Sequence, residues 1–463
     1  SLIFYSLTID NILNIIVLLI LVGVTIATLT GENGIITRAN EAKSKTEQAQ
    51  KDEEAKLDDL ETFIQEALGN VYNEEKGVNA PKLTTNMKLV TFNSSNNTWI
   101  EDTTQNAYSY IDTSIVGNTN KSEWANAEVT VDGITSYFVW IPRYAYKITY
   151  YTNENKTEIS DTPTAYGTID VKFIKGTGNI AADGVTVCKY ASENPDVTKD
   201  YVVHPAFTAD VDQGGWSKEL SGIWIGKFEA SLANKADGSN IVTDSEITGD
   251  ILLSDNTDKT VVTKPGYSSW RYITIGNMYT NALAYDTNLE SHMLKNSEWG
   301  AVAYLTESKY GRNGTEVTQN TAEGYITGGG EERVYATTNT NQSSTGNVYG
   351  IYDLSGGAYE YVASYKKNED FSDEGTNFTN NTSDAYSTIY DTDNIATGYK
   401  YGDATYETRL WHSDNASFGS SDMPYFVRSG SKSIDENYAG IFYFYNGNGK
   451  GIKGNSFRLT LII

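Results

Sequence analysis

The longest hydrophobic stretch of the chain, Ile12 to Leu29, runs eighteen residues with one amide, Asn14, and no charge. At about 1.5 Å of rise per residue it makes a helix of roughly 27 Å, close to the roughly 30 Å hydrocarbon thickness of a bilayer. The run is expected to span a membrane or to pack somewhere equally apolar. Ser1 to Ile9 carry no Lys or Arg, and Gly31-Glu32-Asn33-Gly34 makes a poor cleavage site, so the run reads as a retained segment rather than a secretory signal.

The two glycines and the Asn of that tetrapeptide interrupt the helix. From Arg38 to about Tyr72 there is no Pro and only Gly69, while Leu57, Leu60, Ile64, Ala67, Leu68 and Val71 recur at three- and four-residue steps opposite an Asp/Glu/Lys face. A charged helical stem is predicted, for which a coiled-coil stalk or a plain spacer are the alternatives. From Asn79 onward, short β-branched and aromatic runs alternate with Asn/Gly/Ser/Thr turns, and strands are predicted at Met87 to Phe92, Glu128 to Val131, Ser136 to Ile141 and Gly222 to Phe228. Thr280 to Tyr304, with Ala282, Leu283, Leu289, Met293, Trp299 and Ala303, predicts one or two helices. The expected fold is α+β: a long N-terminal hydrophobic helix and helical stem over residues 1–76, a β-rich linker region over 77–132, and a head over 133–463.

Composition narrows the function. A net charge of −25 and a pI near 4.5 argue against a nucleic-acid partner, which needs clustered Lys and Arg to displace counterions. The single cysteine, Cys188, excludes intrachain disulfides and reads as a small hydrophobe in the strand-like Val185 to Cys188. The 34 tyrosines, with plentiful Asn, Ser and Gly, favour β-structure and adaptable contact surfaces.

Signals for catalysis are thin. His204, His292 and His412 are scattered without metal-ligand spacing, and His204 before Pro205 reads as a turn residue. Ser429-Gly430-Ser431-Lys432 fits a four-residue S-x-x-K pattern of low specificity, and no G-x-S-x-G occurs. The acidic turns Glu369 to Glu374 and Asp391 to Asn394 could supply oxygen ligands for a structural Ca²⁺, or be solvated turns; no cofactor is otherwise expected. The segment Asn437 to Asn455 combines Tyr438, Phe442, Tyr443, Phe444 and Tyr445 with several Asn and Gly. Period-2 alternation would place Tyr443 and Tyr445 on one face and the phenylalanines in the core. Tyr438, Tyr443, Tyr445 and Asn446, with Trp411 as a neighbour, are therefore the candidate binding residues; an ordinary strand pair closed by a glycine-rich turn is the alternative.

Two resemblances add to this. Ile15 to Ile26 followed by Thr30-Gly31-Glu32-Asn33-Gly34 is similar to type IV pilin-like proteins of Gram-positive bacteria. That resemblance implies a helix held in the inner membrane before assembly and packed afterwards in a filament core, with Ile16, Leu19 and Val22 as core contacts. It also implies an acidic residue pairing with a neighbouring subunit, for which Asp10 is the available group, although it lies further along than the family pattern places it. An interfacial position at the headgroup edge is the alternative for Asp10.

Gly350-Ile351-Tyr352-Asp353-Leu354-Ser355-Gly356-Gly357-Ala358-Tyr359-Glu360-Tyr361-Val362 resembles the G-L-Y-D-M-x-G-N-V-W-E-W stretch of formylglycine-generating-enzyme-like proteins, a branch of the C-type-lectin fold. Ser136 to Pro142, Gly222 to Ala230, Ser297 to Ala303, Arg428 to Ser431 and Ser456 to Leu459 resemble further elements of that family in its order. Its oxidative members use a cysteine pair near the C-terminus, which this chain lacks. The Asn437 to Asn455 segment resembles the variable region of diversified lectin-fold proteins. Together these imply an extracellular, non-enzymatic subunit of a type IV pilus-like homopolymer, displaying a lectin-fold head for a surface glycan or protein ligand. A monomeric membrane-anchored or pilus-tip adhesin is the alternative.

Overall fold

The computed structural model describes residue 46 and residues 71–367, 378–379, 384–432 and 439–463. The apolar run, nearly all of the stem, Asp10, Ile16, Leu19, Val22 and Tyr438 lie outside the described residues.

The predicted β-branched and aromatic runs form strands that join one seven-stranded antiparallel sheet. Its spatial order is His292–Met293, Leu459–Leu461, Gly222–Gly226, Ile134–Pro142, Asn126–Val131, Met87–Asn93 and Thr98–Glu101. The expected boundary between 77–132 and 133–463 falls inside this sheet. Asn126–Val131 and Ile134–Pro142 pair directly, Val131 opposite Ile134, across the two-residue turn Asp132-Gly133. Both turn residues have positive φ, 52° and 81°, as the tight hairpin turn that follows strand twist requires. The segment read as a linker therefore supplies three strands to the main sheet, and Leu68 to Ile463 form one compact unit.

Two helices stand where one or two were expected: α1 (Ile275–Leu283) and α2 (Asn296–Glu307). Every residue of α2 is buried, and its first turn is closed by Glu298, whose Oε2 accepts the Lys295 amide at 2.9 Å while Oε1 meets His292 Nε2 at 2.9 Å. The described unit is β-rich with a few short helices, and among the described residues no helix is long and apolar enough to cross a membrane.

A second sheet carries the C-terminal segments. Tyr359–Lys366 pairs antiparallel with Tyr425–Gly430, which pairs antiparallel with Ala439–Gly447; Thr388–Tyr390 and Asn455–Phe457 flank Tyr359–Lys366 in parallel. Segments far apart in sequence meet here through buried charge. Arg458 donates Nε to Glu360 Oε2 at 2.9 Å and Nη2 to Glu360 Oε1 at 2.5 Å, with further bonds to the carbonyls of Gly226 and Tyr352. Arg428 donates to Asn296 Oδ1 and to the carbonyls of Ala404 and Asp403. Both guanidiniums are wholly buried, so these bonds replace water that the charges have lost.

Candidate functional site

The segment Ala439–Gly447 is a strand with a swelling in it. Arg428 faces Phe444, yet the next residue, Ser429, faces Gly440, so Ile441, Phe442 and Tyr443 are accommodated without partners on Tyr425–Gly430. Three groups hold the swelling from below. The Asp414 carboxylate accepts the Phe442 amide at 3.0 Å, Trp299 Nε1 donates to the Ile441 carbonyl at 2.7 Å, and Trp411 packs edge-on against the Phe442 ring. Gly440 is required beside this carboxylate, because a Cβ there would overlap both of its oxygens.

Tyr443 and Tyr445 both lie by Tyr359, while Phe442 meets Trp411 and Phe444 meets Arg428. Phe442 and Phe444 are buried as predicted, but Tyr443 is also only 2% exposed, its ring centroid 6.0 Å from that of Tyr359. Tyr445 is 41% exposed, and Asn446 is half-buried with its amide donating to the Phe418 carbonyl at 3.2 Å. Trp411 is not a neighbour of the tyrosines. It lies on the phenylalanine side, buried, with Nε1 donating to the Thr164 carbonyl at 3.0 Å and its ring filling the space that a side chain at Gly167 would need. Of the five predicted binding residues, Tyr438 lies outside the described residues, Tyr445 is open, Asn446 is half-open, and Tyr443 and Trp411 are interred.

Residues that no local pattern marks complete the face. Tyr359 is half-buried and lies within electrostatic reach of Tyr325 and Tyr445; Gly454 fits between the Tyr325 and Tyr359 rings. Lys432 Nζ stands 5.3 Å from the Tyr325 ring centroid and Arg271 4.8 Å from it.

The other candidate groups are occupied structurally. His204 caps the turn Pro205–Phe207 through Nδ1 and is held down to about 3 by burial. Burial and Glu193 push the Cys188 thiol up to about 11, far from a reactive thiolate. Ser429 Oγ donates to the Ala358 carbonyl and Lys432 pairs with Glu323 at 2.8 Å, so the S-x-x-K residues serve separate partners. Asp391 pairs with Lys367 and Asn394 caps a short helix, while Glu369 to Glu374 lie outside the described residues. Among the described residues no group of three or more His, Cys, Asp and Glu is placed to hold a metal.

Behind the swelling lies a set of titratable groups with raised values. Burial and then Glu316 push Asp414 up to about 8, against His412 and the amides it accepts. Burial pushes Glu407, which accepts from Tyr304, Tyr146 and the Gly402 amide, up to about 7. Burial opposes the charge on His412, but its bond to Glu307 at 2.9 Å holds it up to about 9. Each group prefers its protonated form when folded, so its stabilisation is complete below its unfolded pKa and is lost as pH rises through the folded value. These three groups therefore pull the thermal midpoint down between pH 5 and pH 9, against buried Lys295, which is held down to about 7 by burial and acts the other way; Asp414→Asn should remove its share of the fall, read as the difference from the parent. A variant whose midpoint runs parallel to the parent's over this range would contradict the assignment.

No family model matches the sequence, and no curated protein matches it. A solved structure, Treponema denticola variable protein 1, aligns with 73% of this chain and 99% of its own length at 11% identity and a TM-score of 0.29. Similarity at that level establishes neither a shared fold nor a shared function.

Proposed function

We propose that the chain is a subunit of an extracellular type IV pilus-like filament whose C-terminal unit, a lectin-fold head, binds a ligand through its tyrosine face. The observation that carries this reading is the uncharged run Ile12 to Leu29, ended by Thr30-Gly31-Glu32-Asn33-Gly34 and set before a unit that buries its own core. A helix this apolar needs a bilayer or a bundle of its own kind, and a filament core supplies the second after the first. The lectin-fold part rests on the order of the motif segments and on Glu360, Arg428 and Arg458, which tie those segments together. Binding is favoured over catalysis because the three histidines, Cys188 and Ser429 each have a structural partner.

Helical reconstruction of filaments sheared from cells that make the chain tests this reading. The expected density places Ile12 to Leu29 in the filament core and the C-terminal unit outside. The chain found only as single copies in the membrane would sink the filament and leave the anchored adhesin.

A further inference from the structure

The tyrosine face has a cationic end, in a molecule whose formal charge is −25. Three basic residues converge on Tyr325, itself 8% exposed: Arg271 and Lys432 lie against its ring, and Lys453 shares with Lys432 the field acting on Glu323. Arg271 Nη1 donates to the Lys453 carbonyl at 3.4 Å and Nη2 to Ser268 Oγ at 3.2 Å, while the buried Nε has no acceptor among the described residues. The guanidinium is thus fixed in place with donor capacity to spare.

Three carboxyls face this end, one of them buried and engaged elsewhere. Glu323 pairs with Lys432, but its side chain is 94% exposed, and such a solvated pair is weak enough for an incoming anion to displace. Glu229 acts on Arg271, is pushed well up by burial and is engaged by Ser269 and the Ala358 amide; Asp244 is exposed and also within reach of Arg271. Beside the cations stand half-buried Tyr359 and the open Tyr445, within electrostatic reach of each other. The outer edge of Ala439–Gly447 is closed by Asn415 to Ser417, with the Phe444 amide donating to Asn415 and the Ser417 amide to Phe444. A ligand therefore meets side chains here and finds no free backbone edge for an added peptide strand.

We infer that the face takes an acidic saccharide, the pyranose ring against Tyr359 and Tyr445 and its carboxylate or sulfate at Arg271, Lys432 and Lys453. Flat tyrosine rings match the C–H face of a sugar, and the cations match its anion. The inference rests on the proposed ligand contact at the tyrosine face.

Binding of the full chain in detergent micelles to hexuronate-containing, sialylated and sulfated oligosaccharides, each beside its neutral parent, tests it. Lys432→Glu/Lys453→Glu reverses the exposed Lys453 and the part-buried Lys432 without touching buried Arg271, and Tyr445→Ala removes the open ring. Acidic probes should bind at least tenfold more tightly than their parents. The charge-reversed variant should lose at least tenfold and Tyr445→Ala at least fivefold, both keeping the parental melting midpoint. Neutral parents binding equally well and lost only in Tyr445→Ala would overturn the acidic class while leaving the tyrosine face in place. Acidic probes lost on charge reversal but indifferent to Tyr445→Ala would overturn the face itself. Binding of no acidic saccharide, or capture of acidic peptides alone, would overturn the inference outright.

Discussion

Arg458→Met should cost the C-terminal unit about 3–5 kcal/mol, the range for breaking a buried ion pair from one side. Arg458 and Glu360 are both wholly buried, and two further buried carboxyls, Glu229 and Asp353, lie within reach of the same guanidinium. Burial pushes Glu360 and Glu229 up, and at Glu360 the guanidinium, donating to both oxygens, opposes that; Glu229 has Ser269 and the Ala358 amide as its partners. Methionine would leave Glu360 without a counter-charge and the carbonyls of Gly226 and Tyr352 without a donor. All eight tryptophans, from Trp99 to Trp411, lie in this unit, so tryptophan fluorescence of the whole chain in urea reads its unfolding alone. The midpoint should drop with the slope unchanged, and Arg458→Met/Glu360→Gln should recover at least half of the loss. A single exchange costing less than about 1 kcal/mol would mean that the pair is not the charged tie described.

That tie also explains what was legible beforehand. Local patterns carried far: predicted strands at Met87 to Phe92 and Ser136 to Ile141 lie within observed Met87–Asn93 and Ile134–Pro142, and the mixed segment resolved into α1 and α2. Period-2 and period-3.6 burial is a local property, readable wherever one face is dry. The boundary at 132 and 133 failed for a reason also present in the sequence. Asp132-Gly133 between alternating runs is a strong short-range hairpin signal, whereas the expected boundary followed the start of the family-like segments. The face around Tyr445 was half legible. Aromatic and Asn-rich composition marked the strand, but Tyr443 packs against Tyr359 of a distant segment, and the basic end comes from Arg271, Tyr325 and Lys432, separated by tens to more than a hundred residues. Nothing periodic connects such positions; only the folded sheet brings them together.

Removing residues 1–67 should abolish assembly completely and leave a soluble monomer with the thermal midpoint of the parent, because Leu68 to Ile463 bury their own core. The point of truncation matters. Val78 is fully buried, the Asn79 side chain donates to the carbonyls of Gly176 and Ser221 and accepts the Gly176 amide, and the Asn79 and Lys82 carbonyls accept the indoles of Trp140 and Trp224. Cutting after Lys82 instead would strand these groups, at about 1–3 kcal/mol for each buried one left unsatisfied, and should yield an aggregating or markedly less stable product. The two truncations together separate an assembly device from a folding element. Sedimentation and thermal melts of both, beside electron microscopy of the parent, give the readout. Asp10→Ala in the full chain should lower filament yield while leaving membrane insertion intact, if Asp10 pairs with a neighbouring subunit rather than sitting at the headgroup edge. Filaments formed by the chain lacking residues 1–67 would remove Ile16, Leu19 and Val22 from the core of the assembly.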